Sequence, residues 1–182
     1  MTYVMRVLWV FSLGVDGDAL AVDTQANVER ALQKAVFSTP PFDRILMTGG
    51  VFSPGQSIPV ANLMDKALVQ GSRNLCLPQI LISNASNITR GDVQEGIKKL
   101  TTQYSPTERI ALTVISEKWH LRGIKVLLKQ YKWAEPVVLC PSDYKLDFKG
   151  VAGRIARLLL YRIDPQGTGW SAKRVQQARG AA

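Results

Sequence analysis

The chain has a single histidine, His120, and two cysteines, Cys76 and Cys140, in 182 residues. One histidine cannot supply a His-rich metal site, and two cysteines cannot build a disulfide framework, so structural zinc and a disulfide-stapled fold are excluded. Long hydrophobic runs are scarce as well. The first, Val4 to Leu13, is broken by Arg6 and followed by Gly14, Asp16 and Asp18, and no other approaches the ~18 to 20 apolar residues that span a bilayer. With no charged leader or small-residue cleavage site in view, the expectation is a cytoplasmic protein in a reducing setting with no membrane partner. Neither GxGxxG nor a Walker sequence is present, so no standard nucleotide fingerprint assigns a ligand.

What is present is a globular composition, 46% hydrophobic and 20% charged, with a net charge of +9. At this length one self-sufficient core is expected and a second full domain is not. The positive charge is unevenly placed. Residues 145 to 182 hold Lys145, Lys149, Arg154, Arg157, Arg162, Lys173, Arg174 and Arg179 against Asp147 and Asp164, which accounts for six of the nine net charges. The basic excess therefore belongs to a last helix and a tail. The expected organisation is one Rossmann-like domain over 1–163 and a basic, mobile tail over 164–182.

Apolar runs alternate with helix-period segments along the whole chain, the pattern of successive βα units around a mostly parallel sheet. The strands are expected at Val4 to Leu13, Arg44 to Met47, Gln79 to Ile82, Arg109 to Ile115 and Pro136 to Leu139. Helices follow from spacing: Val28, Ala31, Leu32, Ala35 and Val36 share one face, as do Val60, Leu63, Met64, Ala67 and Leu68. Val93, Ile97, Leu100 and Tyr104 mark a third helix, Leu121, Ile124, Leu128 and Tyr131 a fourth, and Val151, Ile155, Leu158 and Leu159 a fifth. Asp23 or Thr24 is expected to cap the first helix, and Ser57 followed by Pro59 the second. The fold class is thus α/β, a three-layer Rossmann-like sandwich with a mostly parallel sheet of about five strands.

In such a sheet the ligand crevice lies outside the carboxyl ends of the strands, so the residues after each strand are the candidates. Gly14 and the Gly49-Gly50 pair after Thr48 can bring backbone N–H groups close to an anion, or simply form tight turns. Ser83, Ser86, Asn87 and Thr89 can cap the third helix or present hydroxyls and amides to an anionic ligand at its N-terminus. His120 and Arg122 open the fourth helix directly after a strand. There the imidazole can act as acid or base and the guanidinium can clamp a carboxylate or phosphate; the alternative is a histidine satisfied by Glu117 and a solvated arginine. Asp16 and Asp18 are candidates for a general base or a magnesium site, or ordinary loop residues. Cys140 reads as a buried, inert thiol.

The order of these segments resembles the YdcF-like family, the domain shared with SanA-type and ElyC-type bacterial envelope proteins. The likeness spans about residues 4 to 135. It is carried by Leu13-Gly14, by Thr48-Gly49-Gly50 where the family has Ser-Gly-Gly, by Ala61 and Met64, by Ser86, Asn87 and Thr89, and by His120 and Arg122. Three carboxylates common in the family are replaced here, at about Val60, at Ser83 and at Gly91-Asp92, leaving Asp92 as the acidic residue beside the cluster. The resemblance implies a Rossmann-type domain and a nucleotide or S-adenosylmethionine-type ligand. Hydrolase and group-transfer chemistry both stay open.

Three functions compete. In an enzyme acting on a small anionic metabolite, His120, Asp92 and Asp16 are the catalytic candidates. Gly14, Thr48, Gly49, Gly50, Ser83, Ser86, Asn87, Thr89 and Arg122 are then the ligand-binding ones, with no metal. A ligand-binding module without catalysis keeps the second set alone. A nucleic-acid-associated protein using the basic terminal region is the weakest, because Phe148, Tyr161 and Trp170 are scattered and form no stacking platform.

Overall fold

A computed structural model describes residues 3–52, 55–73, 75–86, 88–103, 109–131 and 135–164. The chain order is β1 (Val4–Phe11), β2 (Val15–Asp16), β3 (Ala19–Leu20), α1 (Val22–Phe37), β4 (Arg44–Thr48), α2 (Val60–Gly71) and β5 (Gln79–Ser83). It continues through α3 (Thr89–Gln103), β6 (Arg109–Ser116), α4 (Lys118–Leu128), β7 (Val138–Pro141) and α5 (Phe148–Ile163). Five strands form one sheet in the order β5-β4-β1-β6-β7, and every pairing is parallel. The chain builds outward from β1 through β4 to β5, then crosses back to place β6 on the other side of β1. That reversal creates a switch point between β1 and β6, where the loops after the two strands part and leave a crevice.

The central strand shows why both faces are covered. Its residues alternate between two cores: Met5, Val7, Trp9 and Phe11 pack with residues of α3 and α4, while Leu8 and Val10 pack with residues of α1 and α2. Side chains two apart share a face of a strand, so an unbroken apolar run is what a doubly covered strand requires. Trp9 and Phe11 are fully buried and stacked with centroids 4.9 Å apart. Burying one such side chain stabilises the fold by about 1.5–3 kcal/mol.

All five expected strands and all five expected helices are present, and Cys140 is buried in the core beside Ile115. The last strand is shifted to Val138–Pro141, Tyr131 lies beyond the end of α4, and four other local expectations differ. The first helix starts after Ala21, with no side-chain cap, and Thr24 is turned to the loop after β1 instead. The second starts after Pro59, also without a side-chain cap, because Ser57 is engaged by Asp18 at 2.8 Å through its hydroxyl and 3.0 Å through its amide. Asp16 and Asp18, for which an ordinary loop was one expectation, belong to a two-stranded hairpin, Val15 to Leu20, turning at Gly17. The fifth helix buries none of its residues: Ile155 is 40% and Leu159 51% exposed, and α5 packs on α4 outside the sheet. A helix following an edge strand can reach a neighbouring helix without reaching the core, and its apolar stripe is then left partly in solvent. The tail after Asp164 and Tyr104 lie outside the described residues. Among the described residues no helix is long and apolar enough to cross a membrane.

Candidate functional site

A cavity of about 220 Å³ lies at the switch point. Ser12 to Val15 contribute one wall, Ile88, Thr89 and Asp92 at the start of α3 a second, and His120 on the first turn of α4 a third. Half-buried Arg154 and exposed Arg157, one turn apart on α5, complete its lining. With Phe52 from the loop after β4, five segments far apart in sequence therefore meet at one sheet edge.

His120 is the most constrained of these residues. It is 5% exposed, its Nδ1 lies 2.8 Å from Ser116 Oγ, and its Nε2 lies 2.8 Å from Thr89 Oγ1. Burial, and then the positive charges of Arg154 and Arg157, hold its pKa well below the usual histidine value, so the ring is neutral at pH 7. Its backbone is fixed by Glu117, the side-chain cap of α4, whose carboxylate accepts from the amides of Trp119 at 2.6 Å and His120 at 3.0 Å. The same carboxylate, 1% exposed, lies 3.8 Å from Arg154 Nε. Arg154 is itself largely covered; burial lowers its pKa first and the neighbouring Arg157 second, with Glu117 opposing. Glu117 thus ties α4 to α5 behind the cavity.

The loop after β1 is pinned from α1. Thr24 Oγ1 accepts from the amides of Leu13 at 3.0 Å and Gly14 at 2.9 Å and donates to the Gly14 carbonyl at 2.8 Å. Gly14 lines the cavity, but its N–H is engaged by Thr24. The amides of Gly49 and Gly50 are likewise taken, by the carbonyls of Ser83 at 3.1 Å and Ser86 at 2.5 Å. The close approach that glycine permits is used here by the protein's own backbone: a Cβ on Gly50 would stand 2.8 Å from the Asn84 carbonyl oxygen. Thr48 is fully buried and accepts from Trp9 Nε1 at 3.2 Å; Ser83 is buried. Ser86 Oγ closes a turn on Ile88, accepting from its amide at 3.1 Å and donating to its carbonyl at 2.9 Å. Asn87 lies outside the described residues.

Of the catalytic candidates, His120 and Asp92 both line the cavity, and Asp92 is 3% exposed. Asp16 does not join them; it is exposed on the β2–β3 hairpin, and its neighbour Asp18 holds Ser57, whose hydrogen bonds lower the Asp18 pKa. Arg122 does not join them either. Two residues on a helix are about 200° apart, so with His120 turned inward Arg122 faces solvent, its guanidinium 4.0 Å above the Trp119 ring. The cations at the cavity are Arg154 and Arg157, which sequence reasoning had assigned to the basic terminal region. A signal was there: both fall on the same side of α5 as Leu158 and Tyr161, the residues that pack inward. Ser12 was also missed. It lines the cavity at 4% exposure, and its hydroxyl has no hydrogen-bond partner among the described residues.

Among the described residues no group of acidic, histidine and cysteine side chains is arranged to hold a metal ion. No family model, curated protein or solved structure matches the chain.

Proposed function

We propose that the protein binds a small anionic metabolite in the cavity between β1 and β6, with Arg154 and Arg157 as the charge clamp. The observation that carries this reading is the convergence of two guanidinium groups from α5 on the hydroxyls and imidazole at the switch point. Two like charges held one turn apart repel each other, and an anion between them removes that cost. The start of the fifteen-residue helix α3 opens on the same space, and its dipole favours negative charge there. A phosphate-bearing ligand suits this set best, and the resemblance to the YdcF-like family adds nucleotides and S-adenosylmethionine as candidates.

Transformation of the ligand is the second part of the reading. His120 is neutral and Asp92 lines the same cavity, so an imidazole and a carboxyl group share it. Because both ring nitrogens already meet hydroxyls, proton transfer to a ligand passes through Thr89. A nucleic-acid role gains no support, since Arg154 and Arg157, two of the four cations of α5, are turned to the cavity.

Calorimetric titration of the full chain with inorganic phosphate, adenosine monophosphate and S-adenosylmethionine tests the binding reading. Arg157→Gln is expected to weaken the phosphate-bearing ligands about tenfold or more, as for loss of a charged hydrogen bond, while Arg122→Gln leaves them unchanged. Equal effects of the two variants, or no binding by the folded parent, would overturn it.

A further inference from the structure

The Ser116 hydroxyl is fully buried, and among the described residues it has one hydrogen-bonding side-chain partner, His120 Nδ1 at 2.8 Å. If Nδ1 carried the proton, Ser116 would accept it and its own hydroxyl hydrogen would be left buried without an acceptor, which is unfavourable. Ser116 therefore donates to Nδ1. A neutral imidazole with Nδ1 as acceptor carries its proton on Nε2. The Nε2–H then points at Thr89 Oγ1, 2.8 Å away, and Thr89 accepts. Its own hydroxyl hydrogen is left for an acceptor in the cavity, which Thr89 lines together with the buried Asp92.

We infer that Ser116, His120 and Thr89 form a one-way chain of donors that ends on a phosphoryl oxygen of the bound ligand. This rests on the anion-binding reading above and goes further in naming the contact and the direction of every hydrogen bond. Donors arranged in series polarise one another, so the terminal Thr89 hydroxyl is a stronger donor than an isolated threonine. A group that can only accept is the partner such a terminus selects. Thr89 at the head of α3 and Arg157 on α5 approach the cavity from different elements, and Ser12 offers an unpartnered hydroxyl on a third side. A tetrahedral phosphoryl group presents oxygens in several directions, whereas a carboxylate presents two in one plane. In this arrangement Ser116 and His120 are positioning residues, and Thr89 is the residue that touches the ligand.

Two measurements on the whole 182-residue chain test this series of donors. Ring-nitrogen NMR shifts of His120 are expected to show the neutral Nε2–H form between pH 6 and 8; the Nδ1–H form would overturn the chain whatever the variants do. Titration with inorganic phosphate is expected to be about tenfold or more weaker for Thr89→Val and within about twofold of the parent for Thr89→Ser. Ser116→Ala is expected to shift the imidazole toward a tautomer mixture while the fold persists. Acetate is expected to bind more weakly than phosphate; equal binding would overturn the phosphoryl assignment. Phosphate binding that ignores Thr89→Val would overturn the chain while leaving the anion-binding reading intact. No phosphate binding by the parent would overturn both.

Discussion

The side chain of Ser12 occupies the space that a Cβ on Gly49 would need: Ser12 Cβ lies 2.8 Å from that position and its hydroxyl is closer still. Gly49 also has φ +148°, a conformation that L side chains rarely adopt. Ser12 follows β1 and Gly49 follows β4, so this pair sets how closely the two loops meet beneath the cavity. Gly49→Ala is therefore expected to destabilise the protein by about 2–4 kcal/mol, from backbone strain and the displaced serine together. Denaturant unfolding measures it; a loss under about 0.5 kcal/mol would show that the loops move apart freely.

His120 gives a pH dependence with a definite sign. Its folded pKa is lowered, so between that value and the unfolded value of about 6.5 the unfolded chain binds a proton that the folded chain does not. Stability is then full above about pH 6.5 and falls as the pH falls, by at most about 1.4 kcal/mol per pH unit. His120→Gln should flatten the stability profile between pH 6.5 and 5. A parent profile already flat in that window would mean that His120 titrates normally.

Glu117 joins the cap of α4 to Arg154 of α5. Removing it takes away the acceptor for two amides and leaves a largely covered guanidinium without its carboxylate. Glu117→Ala is expected to cost about 3–5 kcal/mol, the range for breaking one side of a buried pair. Glu117→Gln, which keeps one acceptor oxygen, should cost less. Thermal unfolding of the two variants side by side checks the order.

Two helical glycines should respond in opposite directions to alanine. A Cβ on Gly96 would stand 2.8 Å from Trp9 Cη2, with another ring atom closer still, and that ring is fully buried and cannot yield. Gly96→Ala should therefore destabilise by about 1–3 kcal/mol. Gly153 lies on exposed α5 with nothing within 4 Å of its would-be Cβ. Gly153→Ala should stabilise the helix by up to about 1 kcal/mol through propensity alone. A neutral or stabilising Gly96→Ala would contradict the packing of α3 against β1.

The sheet and helices were legible in the sequence because their signals are local. Val7 to Phe11 is an unbroken apolar run, which fits a strand covered on both faces, and the i, i+3, i+4 spacing of Val60, Leu63 and Met64 can satisfy only a helix. The same locality placed Gly14, Thr89, Asp92 and His120 near one edge, since each follows a strand of a parallel sheet. Long-range geometry decided the rest. Whether Gly49 and Gly50 offer their amides to a ligand or to Ser83 and Ser86 depends on how close the loops after β4 and β5 come. Whether Arg122 or Arg157 reaches the cavity depends on the rotation of α4 and on where α5 docks. Thr24, Ser57 and Asp18 have ordinary local uses as caps and loop residues, yet each is engaged by a partner at least ten residues away. Periodicity fixes which face of an element is apolar, because that depends on neighbours within one turn. The choice of polar partner is fixed only when distant segments pack, and that is where the charge and the donor direction of the cavity arise.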